Sequence, residues 1–376
     1  MIGRMIPDDD LLVPPEMVHL QTGGVGAMPR PVFEATVAAM SMVESDPVSE
    51  TYGPGIGRLE KVRAKAAGLL GCTDDQIVLT TSATQGMFLV AQGLRLTHGD
   101  HVLITDHEHP GGRFGWEWLA RRIGLEIDVV PIAPGERDPK AIVERFEGAL
   151  RPRTRVLSIS QILFTTGVSL PVVELCALAR EHGFWAMVDG AQGPGAIPVD
   201  VRSLGCHAYA ASGHKWLCGP KGTGLLYLDD AISDSMDALP LVAGRHANSD
   251  STGIGNIAGM HGLGAAIDYV QALGPAKIEA HNLALRTELY DLLSEIPGLV
   301  IPSPRDGPTI SANLSFTLPD EADHHAIRRT LLMRHKIYLR VVEQAGFIGL
   351  RASMHYYNRS EDLDALVEAL KVELAA

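Results

Sequence analysis

The stretch VLSISQILFTTGVSLPVVELCALAREHGFWAMVDG, Val156 to Gly190, decides the fold class. It opens on a short apolar run, VLSISQ (Val156–Gln161), passes through a helix-period segment (Val172–His182) and closes on FWAMV (Phe184–Val188). Strand, helix and strand in succession are the grammar of a parallel sheet buried on both faces. The same alternation extends outward. Upstream, helical stretches at Leu59–Leu70, Gln85–Leu96, Trp116–Ile123 and Pro139–Leu150 interleave with strands at Gln76–Thr80, His101–Thr105 and Glu126–Ile132. Downstream lie strands at Ala208–Ser212 and Gly224–Tyr227. The expected fold class is α/β, with a doubly wound, mostly parallel sheet. Such sheets bind ligands at the C-terminal ends of their strands.

Past Gly253 the pattern changes to two long helices (Ile257–Leu273, Glu279–Ile296), strands at Ile310–Phe316 and Gly349–Ser353, and a final amphipathic helix, Ser360–Leu374. This predicts a large α/β domain over residues 20–255. A smaller α+β domain is expected from residues 1–19 with 256–376.

The chain has 376 residues, 46% hydrophobic and 20% charged, the balance of a globular protein rather than a disordered one. Its net charge of −13 disfavours a nucleic-acid partner, which needs clustered Lys and Arg. No apolar run reaches membrane-spanning length, so no membrane association is expected. Cys72, Cys176, Cys206 and Cys218 form no CxxC pair, which points to a reducing cytoplasm and to neither disulfides nor zinc.

The chemistry concentrates in loops that follow strands. In ASGHKWLCGPKGTGLLY (Ala211–Tyr227), Lys215 follows a strand and precedes a Gly-rich turn. A desolvated lysine there can condense with an aldehyde cofactor, although most lysines are solvated surface residues. Asp189, closing FWAMVD, is aimed at the same crevice and suits a pyridine nitrogen, the partner that pyridoxal phosphate needs as an electron sink. LTTSATQGM (Leu79–Met87) reads as strand, hydroxyl residues and helix N-terminus, a phosphate cradle from Ser82, Ala83 and Thr84, or an ordinary cap. In TDHEHPGG (Thr105–Gly112), metal binding by His107, Glu108 and His109 competes with one imidazole stacked on a cofactor ring. The stacking reading is preferred, and no metal is expected. GPGIG (Gly53–Gly57) lacks the GxGxxG spacing that a nicotinamide oxidoreductase requires and reads as a loop beside the site. Trp116 and Trp118 read as core.

In this order, with HLQTGGVGAMPRPV (His19–Val32), YGPGIGRLEKVR (Tyr52–Arg63) and LRASMHYYN (Leu350–Asn358), these segments resemble the class V aminotransferase family of fold-type I pyridoxal-phosphate enzymes. HKWLCGPKGTG is most similar to the epimerase-like branch. The resemblance implies a seven-stranded-type sheet, pyridoxal 5'-phosphate as cofactor, a small amino-acid substrate and a homodimer. It implies that Lys215 carries the cofactor and shuttles the Cα proton, that Asp189 pairs with the ring nitrogen, and that Gln192 touches the ring hydroxyl. His109 stacks on the ring, and Ser82, Ala83, Thr84, Ser212 and His214 hold the phosphate. Arg351 pairs with the substrate α-carboxylate, and Tyr52 is a further substrate-binding residue. Phe164 stands where many relatives have an asparagine, so Gln161 or Gln192 is expected to replace it. Leu350 stands where one desulfurase subgroup has its persulfide-forming cysteine, which disfavours that route. The implied activity is therefore at Cα of an α-amino acid, epimerase- or lyase-like. The alternatives are an aminotransferase, or a desulfurase-type carbon–sulfur lyase without a persulfide cysteine.

Overall fold

The structure, a computed structural model, describes residues 1–246, 251–319 and 321–375. Its main sheet has seven strands: β1 (Ile77–Thr80), β2 (His101–Thr105), β3 (Glu126–Val130), β4 (Thr154–Ser160), β5 (Trp185–Asp189), β6 (Ala208–Ser212) and β7 (Gly224–Leu228). Their spatial order is β1-β7-β6-β5-β4-β2-β3. β7 runs antiparallel to both its neighbours, and the remaining pairs are parallel. All residues of β6 and β7 are buried, as a sheet covered on both faces requires.

Alternation along each strand feeds two cores. Leu225 and Tyr227 join one with Leu157, Ile159 and Tyr209, while Leu226 and Leu228 join the other with Met187 and Ala210. The covering helices are α1 (Arg30–Ser45), α2 (Pro54–Leu70), α3 (Ala83–Gly93), α4 (Pro110–Ile123), α5 (Pro139–Gly148), α6 (Val172–Glu181) and α7 (Ile257–Leu273).

A third core is built by α8 (Pro275–Ser294), α9 (His324–His335), α10 (Ser360–Leu374) and a three-stranded antiparallel sheet. That sheet consists of β8 (Asn313–Phe316), β9 (Arg340–Gln344) and β10 (Phe347–Ser353), in the order β9-β10-β8. Ile257, Met260, Leu263, Ile267 and Val270 of α7 bury in the large core, and α8 contributes Ile278 to that core but Leu285, Leu289 and Leu293 to the small one. We therefore propose that the expected division at residue 255 moves to the start of α8. No helix among the described residues is long and apolar enough to cross a membrane.

Two local expectations change. Gly53–Gly57 is not a loop beside the site but the cap and first turn of α2. Pro54 occupies N1, where its missing N–H leaves no bond unmade, and a Cβ on Gly55 would overlap the Glu50 carbonyl. Trp116 is buried and donates its Nε1–H to Ser158 Oγ at 2.8 Å, whereas Trp118 is partly exposed beneath the Arg122 guanidinium.

Candidate active site

A cavity of about 210 Å³ opens where the C-terminal ends of β5 and β6 meet the N-termini of α3 and α4 and the small sheet. Lys215 stands in the turn after β6. Gly213 N–H donates to Thr223 O at 2.9 Å, Gly219 N–H to Gly213 O at 2.8 Å and Cys218 N–H to Lys215 O at 3.0 Å. Cys218 closes this turn with φ +53°, a left-handed conformation that costs a non-glycine residue free energy. Burial drives the Lys215 amine down to about 8, helped by Arg351 and Arg340 and opposed by Asp189. A good fraction of the amine is thus neutral just above neutral pH.

Asp189 ends β5, paired in register with Ser160 of β4. Its Oδ1 accepts the Ala191 N–H at 2.9 Å. Burial raises its carboxyl, and the Lys215 charge works the other way. Gly112 approaches from α4, and a Cβ there would stand 3.1 Å from Asp189 Oδ2.

The opposite wall is rich in donors. Ser82 caps α3, its Oγ accepting Gln85 N–H at 3.2 Å, and Ala83 N–H donates to Ser212 Oγ at 3.0 Å. Thr84 and His214 complete this wall, and His214 Nδ1 is buried without a partner. His109 caps α4: its Nδ1 accepts Gly111 N–H at 3.0 Å, which places the proton of the neutral ring on Nε2. Burial first, then the Lys215, Arg340 and Arg351 charges, lower its pKa to about 4. The ring meets Phe164 edge-on at 5.0 Å.

At the small-domain side, Arg351 is 1% exposed. It donates Nη1–H to Phe164 O at 2.7 Å and Nη2–H to Gln21 Oε1 at 3.3 Å. Gln192 donates to Gly23 O at 3.0 Å and accepts from Trp216 Nε1 at 2.8 Å. A Cβ on Gly23 would come within 2.9 Å of Arg351 Nη2, so only glycine lets that backbone close over the site.

The cavity therefore gathers Ser82, Ala83, Thr84, His109, Asp189, Gln192, Ser212, His214, Lys215 and Arg351. Gln161 and Tyr52 lie apart. Gln161 Oε1 accepts the Tyr209 hydroxyl at 2.5 Å, away from the cavity, and Tyr52 is 69% exposed. Of the two amides, Gln192 lines the cavity and Gln161 does not. Arg340 lines the cavity without having been foreseen: it begins β9, a strand the apolar pattern did not mark.

His107, Glu108 and His109 point apart. His107 lies between Thr165 Oγ1 (2.7 Å) and Ile132 O (3.0 Å). Glu108 accepts hydroxyl protons from Thr105 (2.7 Å) and Ser160 (2.6 Å). Among the described residues no group of such side chains is placed to hold a metal. No cysteine lines the cavity, and burial raises the thiols of Cys72 to about 11 and of Cys176 and Cys218 to about 12.

These residues fit pyridoxal phosphate. A buried amine of lowered pKa faces a buried carboxylate, and the hydroxyl wall with the orphaned His214 Nδ1 suits a phosphate. The aminotransferase class-V model matches residues 22–366. The chain is 32% identical to an isopenicillin N epimerase of Streptomyces clavuligerus, over 98% of this chain and 96% of that one. It is 29% identical to a probable cysteine desulfurase of Methanothermobacter thermautotrophicus, over 94% of each. It also superimposes, with a TM-score of 0.84 and 27% identity, on a C-DES variant carrying glycine covalently linked to its PLP cofactor, over 97% of this chain and 99% of that one. Site geometry and likeness over nearly the whole length agree, and the chain belongs to the aminotransferase class-V family of pyridoxal-phosphate-dependent enzymes.

Proposed function

We propose that this enzyme removes and returns the Cα proton of an α-amino acid, in an epimerase- or lyase-like reaction. The observation that carries the reading is the convergence of Lys215, Asp189 and Arg351 on one cavity that no cysteine lines. When bound, pyridoxal phosphate withdraws the electron pair left at Cα. Arg351 orients the substrate through its α-carboxylate, using a planar fork already held by Phe164 O and Gln21. Lys215 Nζ, neutral in part because burial lowers its pKa, takes the proton from Cα and hands it back. Asp189 holds a negative charge opposite, pinned by the Ala191 N–H. His109 stays neutral and forms one wall, while Ser82, Ala83, Thr84, Ser212 and His214 hold the phosphate.

The reading includes a second copy of the chain as partner. Phe33, Val37 and Met40 lie on one face of α1 and are all exposed, an apolar stripe suited to self-association. Tyr52, 69% exposed and outside this chain's cavity, is proposed to reach substrate across an interface with that second copy. Four free cysteines accord with a cytoplasmic location.

Incubation with α-amino acids in deuterated water tests the reaction. Deuterium at Cα with inversion of configuration marks epimerisation, and keto acid with ammonia marks elimination. Absence of Cα exchange with every amino acid contradicts the proposal.

A further inference from the structure

Arg340 and Arg351 are register partners on the antiparallel strands β9 and β10, and both line the cavity. Side chains directly opposite on adjacent strands stand on the same face, where like charges repel. Arg351 spends its terminal nitrogens on a carbonyl and an amide oxygen, both uncharged. The Nε of each arginine is buried without a partner. Leaving aside Lys215, whose amine is given over to the cofactor, the cavity thus holds two cations, Arg340 and Arg351, against one carboxylate, Asp189. Arg351 is fully buried and Arg340 half-buried, and guanidinium groups placed side by side there without a counter-charge are costly unless the anions arrive with a ligand.

The proposed phosphate wall of Ser82, Thr84, Ser212 and His214 belongs to the large domain, whereas Arg340 and Arg351 stand on the small sheet, so the two arginines are taken to face the substrate rather than the phosphate. One α-carboxylate answers Arg351 and leaves Arg340 over. We propose that Arg340 binds a second anionic group, so that the substrate is an α-amino acid with a carboxylate on its side chain. The inference rests on the reading of Arg351 as the α-carboxylate site. It narrows the substrate from any amino acid to a diacid, and it assigns Arg340 as the residue that selects it.

The test titrates the cofactor-loaded enzyme with matched pairs of amino acids, glutamate against glutamine and 2-aminoadipate against its ω-amide, in both enantiomers, following the cofactor's absorbance. Wild type prefers at least one diacid over its amide by ten-fold or more. Arg340→Gln weakens that diacid ten- to hundred-fold, the range for one charge-assisted hydrogen-bonded contact, and shifts the amide less than three-fold. Arg340→Lys retains part of the preference. A wild type that favours no diacid over its amide overturns the proposal, as does an Arg340→Gln variant that weakens both members of a pair equally. The cofactor band separates the two levels: a protein that never takes up pyridoxal phosphate refutes the reading of the site, whereas a loaded protein indifferent to side-chain charge refutes only the role of Arg340.

Discussion

Ser212 Oγ accepts the backbone N–H of Ala83 at 3.0 Å, tying the end of β6 to the first turn of α3. The bond joins the strand that presents Lys215 to the helix end proposed to face the phosphate. Ser212→Ala leaves a buried N–H without its partner, at a cost of about 1–3 kcal/mol. The expected outcome is a lower Tm and cofactor affinity weaker by about ten-fold or more, read by equilibrium titration of the apo protein with pyridoxal phosphate.

The Lys215 amine, lowered to about 8 by burial, sets the pH dependence of cofactor loading. Only the neutral amine attacks an aldehyde, so the loading rate rises with pH through about 8 and levels above it. Stopped-flow mixing of apo protein with cofactor between pH 6 and 10 reads the midpoint. A rate still climbing at pH 10 contradicts the lowered value.

Glu108 carries a second titration. Burial lifts its carboxyl to about 7, with Asp189 adding to the rise and the Ser160 and Thr105 hydroxyls opposing it. The folded state then holds a proton that the unfolded state has released between roughly pH 4.5 and 7, so this group destabilises the fold as pH rises through that window. Glu108→Gln keeps an oxygen and adds donors without the charge. Relative to wild type it gains up to about 3 kcal/mol on going from pH 5 to 8, measured by urea unfolding at each pH.

Two glycines respond oppositely to alanine. A Cβ on Gly26 would overlap the Lys215 carbonyl, so Gly26→Ala displaces the lysine turn, with a lower Tm and a shifted cofactor absorbance. Gly57 sits in α2 with open space around its Cβ position, and Gly57→Ala raises stability by about 0.5–1 kcal/mol.

Much of this fold was legible because buried parallel strands are continuous apolar runs. Five-residue strands such as Ala208–Ser212, and the full spans Ile257–Leu273 and Ser360–Leu374, follow from periodicity alone. The lysine and aspartate at the strand ends were legible from position, since α/β sheets place ligands there. Less legible was the start of α2, where Gly-Pro-Gly imitates a loop but Pro54 fits the first helical position. Arg340 escaped notice because its significance lies in its cross-strand neighbour, and register between β9 and β10 is a tertiary fact. Gln161 shows the converse: it follows a strand end as Asp189 does, yet the Tyr209 hydroxyl takes its side chain away from the cavity.

The most direct trial of the central claim is borohydride reduction of the cofactor-loaded protein, followed by peptide mapping. The account predicts a pyridoxyl group fixed on Lys215, and none in a Lys215→Ala variant. A pyridoxyl group on another lysine, or on none, contradicts it.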